Sequence, residues 1–446
     1  MSRPCIRKHF IILLIAQSLL VPSPAIALPI SSSPYRSLDS NGIMGVLRQQ
    51  ANTHPGQQAF NQGFAALKTE DLVAAESAFK KSLQLRPKLT VALIGLAEVY
   101  LRRGQSDLAE AQLEKAQKLQ PDSPEIYIAS GRLHIKQEQY ARAETEFNKA
   151  IALDNRSFLA YGDLGNLYLL VRKDAGKAEA AYRMAVTLQP DYVPARFGLG
   201  MALNSAGKKL EAIDAFRAVV ERAPDDPVPL HIIGRIYAEQ GMFAQAARAL
   251  SDSLSVNPDF SPALYDRADV YAEMNREQDS AADFERILHD NPNDSISRLK
   301  LGMIYQRLDR NREAEAAYHM ALKINPNLAP AYNNLAMLTL KQGGDETRAL
   351  AWAKNAVRLN PDVPHFHDTL GWAYRALGDS ANAIASLERA SQLPPPQARI
   401  FYRLGIVYQE DNRAADALAA FRHALQIQQD FPEAQQAKQY IQTLSK

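Results

Sequence analysis

The sequence predicts an all-α fold, a solenoid of eleven helix–turn–helix units ended by a C-terminal capping helix. Three observations predict it. A small residue recurs at a fixed interval: Gly63, Ala97, Gly131, Gly165, Gly200, Gly234, Ala268, Gly302, Ala336, Gly371 and Gly405, spaced 34 apart except for two steps of 35. Twelve residues on (thirteen in the two longer units) stands a second small residue, from Ala75 and Ala109 to Ala383 and Ala417, and four further a large apolar one such as Phe79, Tyr182 or Phe421. Ala353 is the exception at that last position. Proline closes nine of the eleven units, from Pro87 to Pro395. A period of this length, held through most of the chain, is the signature of a repeat architecture.

Taken in order, residues 1–27 read as a signal peptide. Arg3, Arg7, Lys8 and His9 make a basic start, Phe10 to Val21 an apolar stretch, and Ala25-Ile26-Ala27 a cleavage pattern. Cleavage after Ala27 is expected, with a periplasmic or secreted location. The sole cysteine, Cys5, precedes the apolar stretch, so a lipoprotein-type attachment is not expected and the mature chain would carry no thiol. Residues 28–55, with the run SSSPYRS, read as a flexible lead-in.

The units are expected at 56–89, 90–123, 124–157, 158–192, 193–226, 227–260, 261–294, 295–328, 329–363, 364–397 and 398–431. Each carries two runs with apolar residues three and four apart, the mark of two amphipathic helices. In the sixth, Leu230, Ile233, Gly234 and Tyr237 share one helix face, and Ala246, Ala247, Leu250 and Leu254 share the other. Small residues let the two backbones approach, and the large residue fills the space beside them. Proline ends the second helix because it cannot continue it and disfavours helical geometry before it. A lone pair cannot bury its apolar face, so neighbours must stack. The single-residue insertions near Asp174-Ala175-Gly176 and Gly343-Gly344-Asp345 are expected in the turns between helices. Residues 432–446 complete the chain as a capping helix, with Ala434, Ala437, Ile441 and Leu444 on its apolar face and a glutamine-rich outer face.

These Leu-Gly, Tyr, Ala, Phe, Ala and Pro positions resemble the tetratricopeptide repeat family over residues 56 to 431. The resemblance implies a right-handed α-solenoid whose first helices line a concave, partner-binding groove. The positions that face the groove in that family hold Asn166, Phe197, Asn204, His231, Arg235, Tyr265, Asp269 and Gln306 here, with Asp163, Asp266 and Lys300 adjacent. The carboxylate clamp of some members is not reproduced: Asn166 fits one of its positions, but Gly162 and Gly198 stand where its lysine and next asparagine would. Residues 331–379 resemble the last repeats of bacterial envelope proteins that accompany exopolysaccharide assembly and protein sorting.

Composition narrows function further. Without residues 1–27 the chain has 48 basic and 49 acidic residues, a net of −1, with no overall field to attract nucleic acid. No phosphate loop, nucleophile elbow or zinc-protease motif is present, and repeats leave no room for a catalytic domain. No cofactor or metal is expected. His365 and His367 are two apart and do not face each other on a helix. Tyrosines at one repeated position, Tyr100 to Tyr408, are expected between the two helices of each unit, while Tyr265 and Trp372 fall on the groove face. The expected function is an exported, non-enzymatic scaffold of the envelope that holds a peptide segment or partner protein. A polysaccharide-export accessory protein is the alternative.

Overall fold

The structure, a computed structural model, describes residues 55–445. The expected leader and nearly all of the expected lead-in lie outside the described residues. Among those described there are helices and no strand. They come in pairs joined by tight turns, as in Pro55–Lys68 with Leu72–Leu85 or Pro364–Ala376 with Ser380–Gln392. This is an all-α solenoid, organised as two compact units with the boundary between Phe260 and Ser261.

In the unit of residues 55–260, each pair packs tightly within itself and its second helix packs on the next first helix. Successive first helices from Pro55–Lys68 to Val193–Ser205 also touch, whereas second helices stay further apart. First helices therefore form the inner, concave side of this unit. The unit of residues 261–445 shows the same pattern independently, including contacts between the first helices Ser295–Arg307, Ala329–Gln342, Pro364–Ala376 and Ala398–Glu410.

Close approach inside a pair depends on the periodic glycines. A Cβ on Gly131 would lie 2.5 Å from the Phe147 ring, and one on Gly405 would lie 2.7 Å from the Phe421 ring. Where alanine replaces that glycine in the ninth repeat, the facing residue shrinks too. Ala336, Ala353 and Ala373 pack directly on one another, and Trp352 lies over them, half-buried. The volume missing at Ala353 is thus supplied by its neighbour in sequence.

Among the described residues, each turn between the paired helices contains one residue with positive φ: Glu70, Gly104, Glu138, Lys173, Gly207, Gly241, Asn275, Asp309, Gly343, Gly378 and Asn412. The left-handed residue lets the next two N–H groups satisfy carbonyls at the helix end. The Gly104 N–H donates to Leu101 and the Gln105 N–H to Tyr100, at 3.1 and 2.9 Å. Glu138 adopts this conformation with φ 60° and an exposed side chain. A left-handed residue with a Cβ costs about 1–2 kcal/mol, which glycine avoids at some loss of chain entropy. Glu138→Gly should therefore stabilise the chain by about 0.5–1 kcal/mol, read as a higher urea midpoint at unchanged slope. A lower midpoint would show that the turn is held by something other than its backbone.

The two insertions are absorbed differently from each other. In the ninth repeat the extra residue lengthens the first helix to Gln342, and Gly343 ends it at the turn. In the fourth only Lys173 and Asp174 form the turn, and Ala175 and Gly176, expected in it, already belong to the second helix. The extra residue is instead taken up one turn earlier, where Leu167–Arg172 widens into a π-helix before Lys173 ends it. The final helix begins at Ala434, after Pro432, and buries Ala434 and Ala437. Its Tyr440 stacks on Phe421 at 4.9 Å, while Gln435, Gln436, Lys438 and Gln439 are exposed.

Candidate partner-binding site

The residues expected on the groove face do sit on first helices, but burial divides them. Asp163 is sealed in. Its carboxylate accepts from Arg132 Nε at 2.6 Å, and both side chains are 2% exposed. Burial alone would depress the Arg132 guanidinium, and the facing Asp163 carboxylate more than reverses this, holding it above its usual range. The pair joins the first helices of the third and fourth repeats. His231 is buried edge-on against Phe260 at 5.5 Å, and Phe197 packs edge-on against Phe216 at 5.4 Å.

Asn166, Asn204 and Arg235 remain half-buried on the same inner side. Asn166 has an internal task, accepting the Tyr182 hydroxyl at 2.8 Å. Tyr182 itself is wedged between Gly165 and Gly198, where a Cβ would come within 2.8 and 2.4 Å of its ring. Gly198 is thus a packing residue, like Gly200 against Phe216. Asn204 accepts from Lys209 Nζ at 2.8 Å.

In the unit of residues 261–445, Tyr265 is 3% exposed and meets Phe284 edge-on at 5.6 Å. Lys300, also 3% exposed, lies 4.5 Å from the centre of the Tyr265 ring and donates to Asp269 Oδ2 at 2.6 Å. Burial pushes the Asp269 carboxyl up, Lys300 pulls it back, and the charges of Asp266 and Glu273 add to the rise. Gln306 accepts the Tyr318 hydroxyl at 2.9 Å, the same device as Asn166 with Tyr182. Thus Asp163, Phe197, His231, Tyr265 and Lys300, expected to face a partner, are instead buried: Asp163 against Arg132 of the preceding first helix, Phe197, His231 and Tyr265 edge-on to aromatic rings of their own repeats, and Lys300 against Tyr265 and Asp269. Asn166, Asn204, Arg235, Asp266, Asp269 and Gln306 keep partial exposure.

Two features of this face escaped the sequence reading. Arg403 pairs with Asp368 at 2.6 Å, both buried, across the first helices of the tenth and eleventh repeats. Trp372, placed on the groove face, is stacked between Arg375 and Arg403 at 4.4 and 4.6 Å. The spacing of opposite charges by roughly one repeat, 31 for Arg132–Asp163 and Asp269–Lys300 and 35 for Asp368–Arg403, was the available signal. The repeated tyrosines differ from expectation as well. Tyr100, Tyr168, Tyr305 and Tyr408 donate to Glu76, Glu144, Glu285 and Glu388, each on the preceding repeat's second helix. Burial and the adjacent Glu144 push the Tyr168 hydroxyl up to about 12. Among the described residues no group of three His, Cys, Asp or Glu is placed to hold a metal, and His367 is occupied with the Pro361 carbonyl at 2.8 Å. No helix among them is long and apolar enough to cross a membrane.

Paired helices repeating every 34 or 35 residues, with glycine against a facing ring and a charged inner side, define a helical-repeat interaction scaffold. Two sequence profiles of the tetratricopeptide repeat match the chain, one over 66–133 and the other over 128–193, 168–227, 233–295, 299–364 and 369–434. The chain belongs to the tetratricopeptide repeat family. No curated protein matches it. Among solved structures it is similar to the APC/C hetero-tetramer Cut9-Hcn1, at 15% identity over 91% of this chain and 99% of that one, with a TM-score of 0.46. It is also similar to a tetratricopeptide repeat protein from Parabacteroides merdae, at 18% identity over 57% and 99% of the two chains, TM-score 0.47. A third is YrrB, described as a repeat protein with an unusual peptide-binding site, at 25% identity over 43% and 97%, TM-score 0.36.

Proposed function

We propose that the chain is an exported scaffold of the cell envelope whose inner face holds a peptide segment or partner protein. The observation that carries this reading is the mixed inner face itself. Half-exposed amide and charged side chains stand on first helices, Asn204 and Arg235 in one unit and Asp266, Asp269 and Gln306 in the other, where the Asp269–Lys300 pair ties two of those helices together. Amides pair with peptide groups, and a guanidinium can fork onto a carboxylate. A preformed face loses little ordering entropy on binding. Export rests on the basic, apolar and Ala-Ile-Ala series at the N-terminus.

The test is partner capture in the native host with the tagged full chain. Asn204→Ala with Arg235→Ala should abolish capture, while Arg248→Ala with Asp252→Ala, on an outer second helix, should leave it intact. Mass spectrometry of the same purified chain should show an N-terminus at residue 28. Equal capture by both variants places the partner surface elsewhere, and a retained Met1 removes export from the reading.

A further inference from the structure

The first helices change in character toward the end of the chain. One periodic place on them holds Asn166, Arg235 and Asp269 in the fourth, sixth and seventh repeats, but Met337, Trp372 and Ile406 in the ninth, tenth and eleventh. These last three are half-buried, on Ala329–Gln342, Pro364–Ala376 and Ala398–Glu410, which touch in turn. They make a partly open apolar row. Arg399, Arg403 and Ile406 are spaced by four and three, so they share one side of their helix. Trp372 adjoins that side through Arg403, which lies 4.6 Å from the centre of its ring.

Arg399 differs from the other guanidinium groups there in what it bonds. Arg375 forks onto Glu410 at 2.8 and 2.5 Å, and Arg403 donates to Asp368 at 2.6 Å. Arg399 makes no hydrogen bond among the described residues, and its ion contact with Glu433 Oε1 lies 3.3 Å from Nε. Nε is enclosed, but 25% of the side chain stays exposed, so its outer end can be reached. Burial and the charge of Arg403 push the Arg399 guanidinium down to about 10, against the pull of Glu433 and Asp368. Open guanidinium donors beside a like charge gain most from a carboxylate, which accepts two parallel N–H bonds.

We propose that the inner side of the ninth to eleventh repeats is a receptor for a partner segment carrying an acidic side chain beside apolar ones. This deepens the scaffold reading and rests on it. The carboxylate of an internal aspartate or glutamate forks onto the Nη groups of Arg399. Neighbouring apolar side chains lie along Met337, Trp372 and Ile406. The charge-assisted fork supplies selectivity over amide and basic side chains, and the apolar row supplies contact area.

The probe is an octapeptide of alternating leucine and glutamate, acetylated and amidated so that no terminal charge remains, titrated onto the full chain. Leucine–glutamine and leucine–lysine peptides of equal length are run beside it. The glutamate peptide should bind about tenfold more tightly than the glutamine peptide, and the lysine peptide should not bind. Arg399→Gln with Glu433→Gln removes both members of the ion contact, so neither charge is left buried alone. It should weaken the glutamate peptide about tenfold and leave the glutamine peptide unchanged. Arg399→Lys, which keeps the charge but loses the fork, should weaken the glutamate peptide about threefold. Ile406→Ala should weaken both of these peptides about threefold. A control on an exposed ion pair, Arg389→Gln with Asp362→Asn, should change nothing. Equal weakening by the control shows general charge attraction and overturns the proposal, as does equal binding of the glutamate and glutamine peptides. Binding indifferent to Arg399 overturns it too. If it is indifferent while Asn204→Ala with Arg235→Ala still abolishes partner capture, the acidic-segment receptor falls and the scaffold reading stands. Loss of the capture effect instead removes the scaffold reading itself.

Discussion

Gly234→Leu should break the stack at the sixth repeat while the repeats before it stay folded. A Cβ at Gly234 would lie 2.6 Å from Leu250 Cγ and 3.3 Å from the Ala246 carbonyl oxygen. Leu250 is fully buried and cannot swing away, and the carbonyl belongs to a helix backbone that cannot yield alone. Overpacking of this kind costs about 1–3 kcal/mol, and the backbone contact puts this site at the upper end. Each repeat touches only its neighbours, so the damage should stay local. Limited proteolysis should cut near the Gly241 turn and leave a resistant fragment containing the preceding repeats. Loss of all resistance in one step, with no fragment, would mean the unit of residues 55–260 unfolds as a single cooperative core.

The second large effect is expected at Asp163. Asp163→Asn keeps the shape but removes the charge that faces Arg132, whose Nη1 and Nη2 have no other hydrogen-bond partner. Breaking a buried pair from one side costs about 3–5 kcal/mol, because the remaining charge stays out of water. Arg132→Met combined with Asp163→Leu should recover most of that loss, since an apolar pair of similar volume avoids desolvation altogether. Urea melts of Arg132→Met alone, Asp163→Leu alone and the double give the coupling directly. A double variant as unstable as Asp163→Asn would mean that the pair holds the third and fourth repeats in register rather than merely filling space.

Much of the fold was legible in the residues. Glycine at 131 with phenylalanine at 147, sixteen apart and repeated in phase, marks both helices and the face that joins them. The missing large residue at Ala353 was visible too, but not its replacement. Trp352 covers the gap from outside, and only the packed helices show that its ring reaches there. The location of the fourth repeat's insertion was likewise hidden. A π-helical turn and a regular loop differ in hydrogen-bond pattern rather than composition, and Tyr168 anchors the wider turn from within, its carbonyl accepting the Asp174 N–H at 2.9 Å.

By itself the sequence determined the repeat, the two helices of each unit, and which side of each first helix faces inward. Those follow from side-chain size and spacing along one chain segment, where 34 residues bring every position back to the same place. Tertiary structure alone decided which inward residues remain open to a partner. Asp163, Asp266 and Lys300 share one periodic position, the sixth of their units, yet Asp163 and Lys300 are buried while Asp266 stays half-exposed. That difference depends on how near two helices from different repeats approach. Their separation is set by the volumes and charges that meet between them, such as Arg132 against Asp163, thirty-one residues apart.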